Sequence, residues 1–139
     1  MLAKLIRRSR PSSPAGQNET VPEKAGRLFA KGMNCTQAVL QSTTGIDDPK
    51  MMEMADAFGG GIGDSKCLCG ALSGGVMALG LSGRKKKAGK LVKLFRQAHG
   101  VTCCSALSRS YKWNSREHLA NCRKITEETA AMVEKLLNE

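Results

Sequence analysis

The chain carries six cysteines, Cys35, Cys67, Cys69, Cys103, Cys104 and Cys122. Thiols are its residues with the widest chemistry. A thiolate is a nucleophile, a soft metal ligand and, when paired, half of a two-electron couple. Four positions fall where the helical patterning turns inward, three of them at a helix beginning or just after a helix end: Cys35, Cys69, Cys103 or Cys104, and Cys122. If those ends converge, four thiolates would hold Zn²⁺ or an iron–sulfur cluster. Arranged as two pairs, they would form redox disulfides. The C-x-x-C spacing is missing, and Cys67-Leu68-Cys69 is too short for it. The spacing therefore points to cysteine chemistry without choosing its kind. Cys103 and Cys104 are adjacent, and a bond between neighbours is strained, so one is expected to be functional and the other to stand beside it. Of the two histidines, His99 adjoins a helix-ending glycine. His118 lies one turn before Cys122 and projects to its side; we read it as a surface or capping residue. Neither sits in a recognisable catalytic motif.

The elements that must position these thiols are helices. In the stretch 66–81, the run of small and apolar residues that follows Cys67 and Cys69, from Gly70 on, reads as a buried helix with a cysteine at its N-terminal end, after a glycine-rich turn at 59–63. Gly70, Gly74 and Ala78 repeat every fourth position and leave one face nearly bare, open to another helix or to a cofactor. Gly70, Ala71 and Gly74 are thus candidate cofactor-binding residues. Upstream, Thr20-x-x-Glu23 forms a capping-box pattern, with Pro22 tolerated in the first turn. Asn34 with Gln37 forms a second start signal and puts Cys35 at the first position of its helix. There the free N–H groups and the helix dipole would stabilise a thiolate, lowering its pKa from ~8.5 to roughly 3.5–7.5. The competing reading makes Cys35 a small buried residue. Asp48-Pro49 opens a third helix whose Met51, Met52 and Met54 read as core filler. Leu91, Val92, Leu94, Phe95 and Ala98 form a further stripe ended by Gly100. The last helix starts at Asn114 or Ser115, with Glu117 completing a capping box from Asn114. Its inward stripe runs through Leu119, Cys122, Ile125, Thr129, Met132, Val133, Leu136 and Leu137. No strand-like alternation or internal repeat is present. The expected fold is all-α, a single compact bundle of five or six short helices over residues 20–139. Residues 1–19 form a basic extension expected to be disordered.

At 139 residues with 41% hydrophobic content, the chain suits one domain. No apolar run reaches the ~18–20 residues of a membrane span. Arg7-Arg8 is followed by Pro11, Ser12, Ser13 and Pro14 where a secretory leader needs an apolar stretch, so the expected location is the cytoplasm. The net charge is +10. It is uneven: between Asp64 and Glu117 no acidic residue occurs, while Arg84, Lys85, Lys86, Lys87, Lys90, Lys93 and Arg96 crowd one segment. Such a field would dock an acidic partner protein or hold thiolates in their charged form. Aromatic residues are too few for a base-stacking surface, which argues against nucleic acid.

These residues resemble a known family. Asn34-Cys35-Thr36-Gln37-Ala38-Val39 is similar to the first cysteine motif of the C_GCAxxG_C_C family of redox-active proteins. Cys69-Gly70-Ala71-Leu72-Ser73-Gly74 matches its C-G-A-x-x-G signature residue for residue. Residues 100–107 resemble the third segment, in which Cys104 is the better match, and Cys122 fits the fourth cysteine. The resemblance spans about residues 22–137. Related sequence accompanies haem domains in split-Soret cytochromes. The resemblance implies a redox role for Cys35, Cys69, Cys104 and Cys122, as metal ligands or as thiol/disulfide couples. Cys67 and Cys103 are extra to the family's four and stand as alternates. Ser105 replaces the basic residue that often follows the third cysteine.

The leading expectation is a redox protein whose four cysteines ligate an iron–sulfur-type centre or cycle between dithiol and disulfide. The alternatives are a structural zinc site that staples the bundle and a basic interaction module without redox activity. The electron partner and the oligomeric state are not encoded in any pattern here.

Overall fold

A computed structural model describes residues 18–139. The expected extension at residues 1–19 lies almost wholly outside the described residues. The described chain is all-helical: α1 (Val21–Ala30), α2 (Cys35–Thr44), α3 (Pro49–Asp56), α4 (Gly70–Leu81), α5 (Ala88–His99), a single turn α6 (Cys104–Leu107), and α7 (Arg116–Leu137).

Local signals set most boundaries. Thr20 Oγ1 accepts the Glu23 N–H at 3.2 Å and starts α1. Asn34 and Gln37 form a full capping box: Asn34 Oδ1 accepts the Gln37 N–H (2.9 Å), and Gln37 Oε1 accepts the Asn34 N–H (3.1 Å). Asp48 caps α3 through the Lys50 N–H at 2.8 Å. Each side chain satisfies a donor that the helix itself leaves free. Gly45 and Gly100 close α2 and α5 with φ of 76° and 78°, a region that costs a side-chain-bearing residue energy.

Helix α4 is the centre. Ala71, Leu72, Ala78 and Leu79 are fully buried, and the helix packs on α2, α7 and α5. Its bare face is taken up by α2. A Cβ at Gly74 would collide with the Thr36 carbonyl oxygen, and one at Gly70 would run into Cys35 Sγ and lie 2.7 Å from Thr36 Oγ1. On the other side, a Cβ at Gly75 would lie 2.7 Å from Leu91 Cδ2 and 2.9 Å from Val133 Cγ2. Helix α4 is therefore gripped from both sides. Helix α1 closes the bundle against α7 and α2.

Four local readings need correction. Met54 is 49% exposed, and on α3 Ala55 is the buried residue. Helix α7 is capped by Ser115, whose Oγ accepts the His118 N–H at 3.1 Å. Asn114 instead takes a left-handed turn, φ 64°. Leu119 is exposed, while His118 is buried. The inward stripe of α7 thus starts at His118 and runs through Ile125, Thr126, Thr129, Ala130, Val133 and Leu136.

Candidate redox site of clustered cysteines

The starts of α2, α4 and α6 and the first turns of α7 bring four free cysteines together. Cys35 is the first residue of α2, Cys69 is the N-cap of α4, Cys104 opens α6, and Cys122 lies two turns into α7. Cys69 is buried and the other three are half-buried. Cys69 and Cys104 are hydrogen-bonding neighbours, Cys35 feels the charge of Cys104, and Cys122 feels both Cys35 and Cys104. Thr36 Oγ1, crowded with Cys35 Sγ against the Cα of Gly70, is buried without a hydrogen-bond partner among the described residues.

The remaining two cysteines, Cys67 and Cys103, form a disulfide, with Cα atoms 4.3 Å apart and a sequence separation of 36. It ties the loop before α4 to the loop before α6. The Cys69 N–H donates to the Thr102 carbonyl (2.7 Å) and the Ser105 N–H to the Lys66 carbonyl (2.9 Å), so the two loops are joined on both sides of the bridge. The bridge and these bonds carry Cys69 and Cys104 to each other. Sequence reasoning had no means of pairing Cys67 with Cys103, because that contact exists only once α4 and α5 have folded back.

The four thiols are electrostatically unequal. Cys104 is lowered to about 7 from an ordinary 9.0: the Cys69 thiol donates to its sulfur, and the Gly70 N–H at the start of α4 and its own N–H add to this against the cost of burial. Cys69 is pushed well above its ordinary value, first because its proton is held in the bond to Cys104, then by burial. Burial, followed by the charge of Cys104, raises Cys35 to about 11. Burial and the charges of Cys35 and Cys104 raise Cys122 to about 12. The expectation for Cys35 is thus overturned. The α2 N–H groups do favour its thiolate, but loss of water outweighs them. The thiol that is lowered is Cys104, first by the Cys69 proton and, more weakly, by the Gly70 N–H at the start of α4.

His118 joins the site through Cys122. Its Nδ1 accepts the Asn114 N–H at 2.9 Å, which leaves the ring proton on Nε2, 3.4 Å from Cys122 Sγ. Burial, then the charge of Lys66, lowers the His118 pKa. A neutral ring thus points an N–H at the thiol. Trp113 covers that ring at a centroid distance of 4.4 Å, and Lys66 Nζ lies 4.6 Å from the Trp113 centroid. The i, i+4 spacing was visible in sequence, but the burial that makes the pair matter was not.

The donor chemistry, four soft sulfurs, suits zinc or an iron–sulfur cluster. The arrangement does not match it: among the described residues no group of three or more His, Cys, Asp or Glu is placed to hold a metal ion. The basic segment is partly engaged. Lys87 Nζ donates to the Leu136 carbonyl at 3.0 Å, and Lys90 Nζ lies 3.0 Å from Glu139 Oε2, so both tie down the C-terminus. No helix among the described residues is long and apolar enough to cross a membrane.

No curated protein and no solved structure matches the chain. One family profile does, described as "Putative redox-active protein (C_GCAxxG_C_C)", over residues 33–136. That interval holds all six cysteines and most of the described bundle, and the chain belongs to the C_GCAxxG_C_C family.

Proposed function

We propose that the protein is a two-electron thiol/disulfide redox protein in which Cys104 is the nucleophile and Cys69 the resolving thiol. The observation that carries this is the asymmetry of the pair. Cys104 is lowered to about 7 by the proton that Cys69 keeps. A thiol with pKa near ambient pH is the best attacker in exchange, because it is ionised without losing much nucleophilicity.

The reaction balances within this site and one partner disulfide. The Cys104 thiolate attacks a sulfur of the partner's disulfide, forming a mixed disulfide and releasing one partner thiolate. Cys69, giving up its proton, attacks Cys104 Sγ. The Cys69–Cys104 disulfide forms, and the partner leaves as a dithiol carrying two electrons. The Gly70 N–H at the Cys104 sulfur stabilises charge there as it develops. Cys35 and Cys122 border the pair and stay protonated at neutral pH, so they do not compete as attackers. The acid-free stretch between Asp64 and Glu117 favours an acidic partner protein. We place the reaction in the cytoplasm, where dithiol partners are abundant.

A metal centre on Cys35, Cys69, Cys104 and Cys122 is the second reading. The mutual electrostatic coupling of all four thiols favours it. Metal analysis and visible absorption of anaerobically purified protein, with thiols counted in parallel, decide between the two. The proposal expects no stoichiometric metal and two free thiols fewer after mild oxidation, mapped to Cys69 and Cys104. Stoichiometric iron with sulfide, or one zinc per chain, would overturn it.

A further inference from the structure

We propose that the Cys67–Cys103 disulfide is a second redox couple, a surface port that exchanges electrons between an external dithiol and the inner Cys69/Cys104 pair. This rests on the thiol/disulfide reading above. The port lies outside the family's four cysteines, so the inner pair's chemistry does not by itself call for it.

The geometry has three parts. Cys67 is exposed, whereas Cys69 is buried, so the two pairs differ in access while lying on the same two loops. Each inner cysteine follows an outer one closely: Cys69 is two residues beyond Cys67, and Cys104 is next to Cys103. Cys104 Sγ lies 3.9 Å from the carbonyl oxygen of Leu68, the residue after Cys67. The inner nucleophile thus lies against the same backbone segment that carries Cys67. Hydrogen bonds on both sides of the bridge keep the loops together whichever sulfurs are joined.

The exchange needs no outside oxidant or reductant. The Cys104 thiolate attacks Cys67 Sγ. The Cys67–Cys103 bond breaks, a Cys67–Cys104 bond forms, and Cys103 leaves as a thiolate that takes up a proton. Cys69 then attacks Cys104 Sγ, passing its proton to the departing Cys67. One disulfide has become another; Cys69 supplies one of the two protons the outer pair takes up, and solvent supplies the other. In reverse, an external dithiol reduces Cys67–Cys103 and is itself oxidised to a disulfide. The freed Cys67 thiolate then attacks Cys104 Sγ of an oxidised inner pair. The Cys69–Cys104 bond breaks, and Cys69 leaves as a thiolate that takes up a proton. Cys103, giving up its proton, attacks Cys67 Sγ, which re-forms Cys67–Cys103 and releases Cys104. Two electrons pass inward without the partner ever reaching buried Cys69.

The test is a trap. In full-length Cys69→Ser protein the second step cannot occur, so the first exchange comes to equilibrium between the Cys67–Cys103 and Cys67–Cys104 linkages and acid quenching fixes the ratio. After incubation at pH 8, acid quenching, alkylation of free thiols and peptide mapping, the expected result is a Cys67–Cys104 linkage, with Cys103 alkylated, in at least about a tenth of the molecules. Finding only Cys67–Cys103 with Cys104 alkylated would overturn the port. A second variant, Cys67→Ser/Cys103→Ser, separates this inference from the one beneath it. Its inner pair is oxidised with diamide and then reduced by thioredoxin. Reduction slowed at least about tenfold relative to wild type supports the port. Reduction at the wild-type rate overturns the port and leaves the inner couple standing. An inner pair that never forms a disulfide, in wild type or in the double variant, overturns both. If the double variant does not fold, the trap alone decides.

Discussion

Replacing Cys69 by alanine removes the proton donor that lowers Cys104. The structure gives the size of the effect. Cys104 falls from 9.0 to about 7, and the Cys69 hydrogen bond is the largest cause, acting against burial. Without it the value moves back towards its ordinary level, and a full return to 9.0 sets the upper size of the effect. At pH 7 the thiolate fraction then drops from roughly one half to roughly one hundredth, about 50-fold. A more basic thiolate is also a better nucleophile. With a Brønsted slope of about 0.4–0.5, two pKa units restore a factor of roughly 6–10. The net expectation is alkylation of Cys104 slower by up to about 5–8-fold at pH 7, with the midpoint of its pH–rate profile moved up from about 7 towards 9. The assay is iodoacetamide labelling of reduced protein between pH 5 and 10, with the rate at Cys104 read by peptide mass, and circular dichroism confirming the fold. A midpoint unchanged in the variant would refute the reasoning, because the thiolate would then owe its stability to the backbone N–H groups alone.

Three further outcomes are expected. Gly74→Ala gains up to about 1 kcal/mol of helix propensity, but its methyl group meets the Thr36 carbonyl oxygen, which is backbone and has no rotamer to escape to. Net destabilisation of about 1–2 kcal/mol follows, measured by urea unfolding; an unchanged midpoint would show that the α2–α4 contact is looser than described. Cys35 and Cys122 titrate higher folded than unfolded, at about 11 and about 12 against 9.0. The folded state therefore keeps protons that the unfolded chain loses. Their contribution is full below pH 9 and is lost as pH rises towards 11 and 12. A stability curve of reduced protein should decline in that window, and Cys35→Ala/Cys122→Ala should flatten the decline; parallel curves would count against it. Losing the Cys67–Cys103 bridge, which spans 36 positions, should cost about 3–4 kcal/mol from loop entropy. Comparison of the oxidised protein with Cys67→Ser/Cys103→Ser by denaturant titration checks this, and a loss under about 1 kcal/mol would mean that the unfolded chain is already compact there.

The readings that succeeded rest on interactions within a few residues. Asn34 and Gln37 complete their box inside one turn, so the start of α2 and the place of Cys35 needed nothing else. The Gly70/Gly74 spacing announced a close approach because removing Cβ atoms from one face has no other local benefit. The errors came where two residues were locally equivalent. Asn114 and Ser115 are both good caps, and the choice fell to Ser115 because the Asn114 N–H is engaged by His118 Nδ1. Met54 and Leu119 are apolar at plausible helical positions, yet the neighbouring helices do not reach them.

By itself the sequence determined an all-helical chain, the helix starts that present Cys35 and Cys69, and the family to which the chain belongs. These are decided by side chains capping their own backbone and by a motif of contiguous residues. Tertiary structure decided which thiol is acidic. A helix terminus acts over about one turn and is felt by whatever sulfur the fold delivers to it. Burial then reverses that effect at Cys35, while the N–H of Gly70, far away in sequence, extends it to Cys104. It also decided that Cys67 meets Cys103 and that His118 meets Cys122 inside the protein. Burial and long-range sulfur pairing are properties of the packed bundle, and no window of sequence contains them.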